Sequence, residues 1–202
     1  MIQFNYRILQ FFYKGEIRVA LFSRRDLINK ANSVIQKSYY TKSASTILNE
    51  SYKAYSPFKT YDIFLSHSYQ DAEVILGLKN TLEERGYEVY VDWIEDKQLS
   101  RGNVNAQTAN QIRNRMRTCR SLFFATSDNS SDSKWMPWEL GYYDGFRGKV
   151  AILPINNSSY QKDSFEGQEY LGLYNYVIDN HGFLYIKYLN GPIKSFKEWV
   201  SE

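Results

Sequence analysis

The sequence predicts an α/β domain, an open parallel sheet of about five strands with helices on both faces, preceded by a small N-terminal extension. Three observations predict it. Short runs rich in β-branched and aromatic residues alternate with helical apolar stripes. Glycine, asparagine, aspartate and serine punctuate the connections. A length of 202 residues with 43% hydrophobic content suits one ordinary core.

The extension and its linker take residues 1–58, and the domain takes 59–202. In the extension, Ile2 to Tyr13 and Ile17 to Phe22 are β-prone and flank a Lys14-Gly15 turn. Ser23 is placed to cap a helix over residues 24–36, with Leu27, Ile28, Ala31 and Ile35 roughly on one face. The Ser, Thr, Lys and Tyr stretch from Ser38 to Ser56, ending at Pro57, reads as a linker.

The first strand is Tyr61 to Ser66, ending in the polar loop His67 to Gln70. Asp71 is a candidate N-cap for a helix carrying Ala72, Ile75, Leu78 and Leu82 on one face, stopped by Gly86. Tyr87 to Trp93 is the second strand, and the charged loop Glu95 to Asn105 after it is longer than most connections. A second helical stripe joins Ala109, Ile112, Met116 and Cys119, which makes Cys119 a core residue. Ser121 to Ser127 is the third strand and Lys149 to Ile155 the fourth, with Pro154 at its end. Between them, residues 133–146 are helical provided Pro137 falls in the first turn. A fifth strand is expected at Tyr176 to Asp179 or at Phe183 to Tyr188, and a last helical turn at Ser195 to Val200.

Composition removes several function classes. The net charge of +3, from 25 basic and 22 acidic residues, requires neither nucleic acid nor a membrane as partner. One cysteine and two histidines offer no disulfide and no zinc-ligand spacing, which fits a reducing, cytoplasmic compartment. The apolar run Ile8 to Tyr13 is far short of the roughly 18 residues that span a bilayer. Ligands of open parallel sheets bind beyond the carboxyl ends of the strands, which selects the loops His67 to Gln70, Glu95 to Asn105 and Ser127 to Trp135.

The segments YDIFLSHSYQD, YEVYVDWIED and SKWMPWELGYYDG, in that order and spacing, resemble the TIR (Toll/interleukin receptor) family. The resemblance covers about residues 59–155, with a similar continuation through FEGQEYLGLY. It implies a flavodoxin-like sheet. In the enzymatic, anti-phage branch of that family, a glutamate with a tryptophan four residues earlier cleaves NAD at the nicotinamide riboside bond; here the pair is Glu139 and Trp135. No cofactor is implied, since NAD is the substrate. The resemblance further implies TIR–TIR self-association, and since the sequence shows no second large domain, a separate effector protein that senses the nucleotide product is expected. Many family members are non-enzymatic adaptors, and a deoxyribosyl transferase is a third reading, so the fold alone does not establish activity.

The nicotinamide of NAD is a cationic leaving group that departs neutral, so no general acid is needed on the leaving nitrogen. One carboxylate, Glu139, suffices to stabilise an oxocarbenium-like ribose, and its place near a helix N-terminus is expected to keep it ionised. Trp135 is placed to pack on nicotinamide or ribose and exclude water. Lys97, Arg101 and Arg113, with Arg117, are candidates for the pyrophosphate, although the arginines of one helix equally form a solvated basic face. Ser66, His67, Ser68 and Tyr69 offer donors at the end of the first strand, and Trp93 and Ser127 end the second and third. Asp71 reads as a cap, Asp92 as a pocket-shaping residue and Trp138 as structural. Water as the attacking group gives ADP-ribose; a group of the same nucleotide gives a cyclic product.

Overall fold

In the central strand β2 (Tyr61–Ser66), Ile63, Phe64 and Leu65 are wholly buried, so both faces of the strand are covered. Each such side chain contributes about 1.5–3 kcal/mol by leaving water. The computed structural model describes residues 20–38, 42–93, 106–157, 164–167 and 169–202. Its elements in chain order are β1 (Phe22–Ser23), α1 (Arg24–Lys37), α2 (Ala44–Lys53), β2, α3 (Ala72–Glu84), β3 (Val89–Val91) and α4 (Ala106–Arg117). There follow β4 (Cys119–Thr126), α5 (Trp135–Arg147), β5 (Val150–Asn156), β6 (Tyr176–Asn180), β7 (Phe183–Lys187), β8 (Ile193–Ser195) and α6 (Phe196–Ser201).

Among the described residues the sheet has eight strands rather than about five, in the order β3-β2-β4-β5-β6-β7-β8, with β1 pairing with β5. Strands β3, β2, β4, β5 and β6 run parallel, while β7 and β8 are antiparallel additions. Both candidate fifth strands therefore exist. They form a hairpin because His181 (φ 51°) and Gly182 (φ 89°) adopt the left-handed turn that matches strand twist. The mainly parallel, helix-covered sheet agrees with the α/β expectation.

Two cores flank the sheet. One joins Ile63, Leu65, Val89, Val91 and Trp93 to α1, α2, α3 and α6. The other joins Phe64, Tyr90, Leu122 and Phe124 to α4 and α5 through Ile112, Met116, Met136, Leu140 and Tyr143. Alternation along each strand makes this division.

Ser23 does cap α1, its Oγ accepting from the Asp26 amide at 3.4 Å. Where a linker was expected, Ser43 caps α2 by accepting from the Thr46 amide at 3.1 Å, and Ala44 and Leu48 are buried. Two apolar anchors outweigh the weak propensities of the surrounding serines and threonines. Helix α3 buries Leu76 and Gly77 as well as Ile75, Leu78 and Leu82, because α1 covers the side turned away from the sheet. The β-prone run Ile2 to Tyr13 and most of Ile17 to Phe22 lie outside the described residues. Among the described residues no helix is long and apolar enough to cross a membrane.

Cys119 is buried as expected, although it opens β4 instead of ending the preceding helix. Burial pushes its thiol up to about 12. Alkylation by iodoacetamide at pH 8 is therefore expected to be at least ~100-fold slower in the native protein than in denaturant, as mass spectrometry of the intact chain reads out.

Candidate active site

From the central strand β2 the chain steps to β3 on one side, then crosses back to β4 on the other. Such a reversal of strand order marks the position, beyond the carboxyl ends of β2 and β4, at which open α/β sheets bind ligands. Ser66 closes β2 there. Since Phe64 faces α4 and α5, alternation turns Ser66 the same way, and its Oγ donates to Glu139 Oε2 at 2.5 Å.

Glu139 is held by α5. Pro137 is the third residue of that helix, where its missing N–H breaks no bond, and Gly148 ends it in the left-handed conformation with φ 66°. The buried stripe is Met136, Glu139, Leu140 and Tyr143, so a carboxyl occupies a core-facing position. The expectation of a permanently ionised group fails here. Burial raises the Glu139 carboxyl to about 8; the Ser66 hydrogen bond works against this and the negative charge of Asp92 adds to it. Residue 139 is the fifth of the helix, beyond the first turn where the helix dipole acts, so desolvation outweighs the dipole.

Asp92 lies beyond β3 on the same side of the sheet as Tyr90. Tyr90 Oη donates to Asp92 Oδ1 at 2.7 Å and itself accepts from Arg115 Nη1. The Arg115 guanidinium lies over the rings of Tyr52 and Tyr55, at 4.3 and 4.5 Å from their centroids. Desolvation raises the Asp92 carboxyl, while the Tyr90 hydrogen bond and the Arg115 charge lower it.

The other candidates divide between the two faces of the sheet. Trp93, on the α3 side, is wholly buried and stacks on His67 at 5.2 Å with 3° between the planes; Tyr69 packs on it at 4.8 Å. Its Nε1 is among the few buried polar atoms without a partner among the described residues. His67 Nδ1 lies 2.9 Å from the Leu65 carbonyl, an acceptor, so this nitrogen carries the proton. Desolvation lowers the imidazole to about 4, and it is neutral at pH 7.

Ser68 is buried and its carbonyl accepts from the Asp71 amide. Ser127 Oγ donates to Asp71 Oδ2. Trp135 opens α5, half-buried, one turn from Glu139 and edge-on to Trp138 at 5.2 Å. Arg113 partners Asn110 Oδ1 at 2.8 Å and lies over Trp138 and Tyr142, at 5.2 and 5.7 Å. Lys97 and Arg101 lie outside the described residues.

Two roles went unread in the sequence. Asp71 stands at the N-cap position of α3 without making a cap bond; its side chain joins Ser127, Asn129 and Arg24. The Arg115–Tyr90–Asp92 chain was missed too, although the spacing of Tyr90 and Asp92 by two residues in a strand already places them on one face.

A neutral carboxyl at a sheet edge, held by one hydroxyl and coupled to a second carboxyl, becomes an anion when a cation displaces water beside it. Such a site suits chemistry that develops positive charge on a bound sugar.

The TIR domain family, by its model, matches residues 63–181. The chain is 59% identical over 162 residues to a probable 3' cyclic ADP-D-ribose synthase ThsB' of Bacillus cereus (strain MSX-D12), covering 79% of this chain and 83% of that protein. It is 34% identical over 85 residues to a putative cyclic ADP-D-ribose synthase TIR2 of Cytobacillus dafuensis, covering 42% of this chain and 22% of that protein. With the family match spanning more than half of its length, and with the ordered motifs lying on the strands and helix described above, the chain belongs to the TIR domain family.

Proposed function

We propose that this chain is an NAD-cleaving TIR enzyme that releases nicotinamide and closes the remaining ADP-ribose into a cyclic product. The observation that carries the reading is a buried carboxyl, Glu139, at the sheet's ligand edge in a chain 59% identical to a probable cyclic ADP-D-ribose synthase.

The C1'–N bond to nicotinamide breaks with its electron pair going to the ring nitrogen, which becomes neutral. Positive charge passes to the ribose, where Glu139, ionised by the approach of the cationic nicotinamide ring, stabilises it. Ser66 fixes the carboxyl through Oε2, leaving Oε1 for the sugar. The Trp135 indole covers the leaving ring and limits water. A hydroxyl of the same nucleotide then bonds to C1' and gives up its proton, which closes the ring; water in its place yields ADP-ribose. Cyclisation is the finer part of the proposal, and it rests on the names of the two relatives.

The cyclic product serves as a diffusible signal in anti-phage defence, read by a separate effector, and the enzyme works in the cytoplasm as a self-associated assembly. Mass spectrometry of NAD incubated with concentrated protein is expected to find nicotinamide and, two hydrogens and one oxygen short of ADP-ribose, its cyclic anhydride. Intact NAD would sink the enzymatic reading, and ADP-ribose alone would sink cyclisation.

A further inference from the structure

Asp71 is an aspartate buried to 2% exposure that does not cap the helix it precedes. Its Oδ1 accepts from Asn129 Nδ2 at 2.8 Å and from Arg24 Nη1 at 3.2 Å, and its Oδ2 accepts from Ser127 Oγ. Three separate stretches of chain therefore meet on one carboxylate. Asp71 ends the loop that starts at His67, directly after Ser66 closes β2. Ser127 and Asn129 belong to the loop after β4 that leads into α5 and Glu139. Arg24 is the first residue of α1, within the N-terminal segment.

Neighbouring contacts make this meeting point stiff. Strand β1 pairs with the end of β5, Ser23 opposite Asn156, which sets the start of α1 at the ligand edge of the sheet. Asn157 Nδ2 donates to Asp128 Oδ1 at 2.6 Å, tying the end of β5 to the same loop. Ser127 and Ser130 bond to each other, Ser130 Oγ donating to the Ser127 carbonyl at 2.8 Å. A buried carboxylate needs a compensating cation, and Arg24 supplies the only ion pair recorded for Asp71 among the described residues.

We propose that Asp71 and Arg24 are positioning residues: through this carboxylate the N-terminal segment holds the β2 and β4 loops, and with them Ser66 and Glu139, in reacting geometry. Neither residue touches the sugar; they act by fixing the loops that do. The proposal rests on the enzymatic reading above for its catalytic consequence, but its structural consequence is independent of it.

The test uses the full chain with Arg24→Gln, Arg24→Lys and Asp71→Asn. Hydrogen exchange in the Gln variant is expected to rise by about threefold or more in peptides covering residues 66–71 and also 126–132, a loop whose recorded bonds to Arg24 run only through Asp71. Release of nicotinamide is expected to fall about tenfold or more in kcat with KM little changed, since small misplacements of reacting groups cost rate. Arg24→Lys is expected to recover most of both, and Asp71→Asn to abolish any further effect of Arg24→Gln. An exchange increase confined to residues 20–38, or a lowered melting temperature with unchanged kcat, would overturn the proposal. If the unmodified protein releases no nicotinamide, the enzymatic reading fails and the exchange result alone decides whether the loops are held from Arg24.

Discussion

Glutamine in place of Glu139 is expected to lower nicotinamide release by about 100-fold or more, the scale on which one well-placed transition-state group acts, and at the same time to make the protein more stable at neutral pH. The rate loss comes from the missing charge, and the stability gain from desolvation. The carboxyl goes from an ordinary 4.5 to about 8 on folding. Below 4.5 the folded and unfolded chains both hold the proton, and the group makes no pH-dependent difference. From there to about 8 the unfolded chain has lost a proton that the folded chain retains, so stability falls as pH rises, and above about 8 the loss is complete.

Integrated to pH 7, the penalty is on the order of 3 kcal/mol, which glutamine removes while keeping the shape and an acceptor for Ser66. Melting curves from pH 4.5 to 8.5 should therefore show the variant gaining on the parent steadily with pH. A constant gap would mean that the carboxyl is not desolvated. The same proton shapes the rate. In the free enzyme kcat/KM for NAD is expected to rise about tenfold per pH unit toward 8, whereas kcat, reporting the complex with its cationic ring, levels off at lower pH.

The other large effect lies away from the chemistry. Gly77 on α3 faces the backbone of α1, and a Cβ there would sit 1.9 Å from the Leu27 carbonyl oxygen and 2.6 Å from its carbon. Backbone cannot rotate aside as a side chain can, so the helices must separate. Gly77→Ala is expected to cost on the order of 3 kcal/mol, and Gly77→Val more. Gly141→Ala in α5 is the matched control: its Cβ would meet nothing within 4 Å. It is expected to stabilise by about 0.5–1 kcal/mol through helix propensity. Chemical denaturation of the variants reads this directly; equal costs at Gly77 and Gly141 would show that α1 does not press on α3. The separation also bears on whether residues 1–58 are an appendage: if α1 comes away, limited proteolysis should cut the chain between α1 and α2 in the Gly77 variants first.

The strands and helices were legible where local signals and burial agree. Tyr61 to Ser66 carries the residue types of a covered strand, Ser23 and Ser195 mark helix starts, and Pro137 admits a helix only in its first turn. Helix α2 was not legible, because its stability comes from Leu48 entering a core assembled by distant segments. The strand count was short for a related reason. Strand β1 is two residues long and exists through its pairing with β5, and β8 is three residues long and exists through its pairing with β7.

By itself the sequence determined the order of strands and helices, the loops beyond the strand ends, and the Trp135 and Glu139 spacing on one helix face, since each follows from periodicity and local backbone preference. Only the tertiary structure decided the protonation of Glu139, the separation of Ser66 from His67 and Trp93 across the sheet, and the meeting of Arg24, Ser127 and Asn129 on Asp71. Desolvation and charge pairing depend on atoms brought together from far apart in the chain, and no local pattern records which atoms those will be.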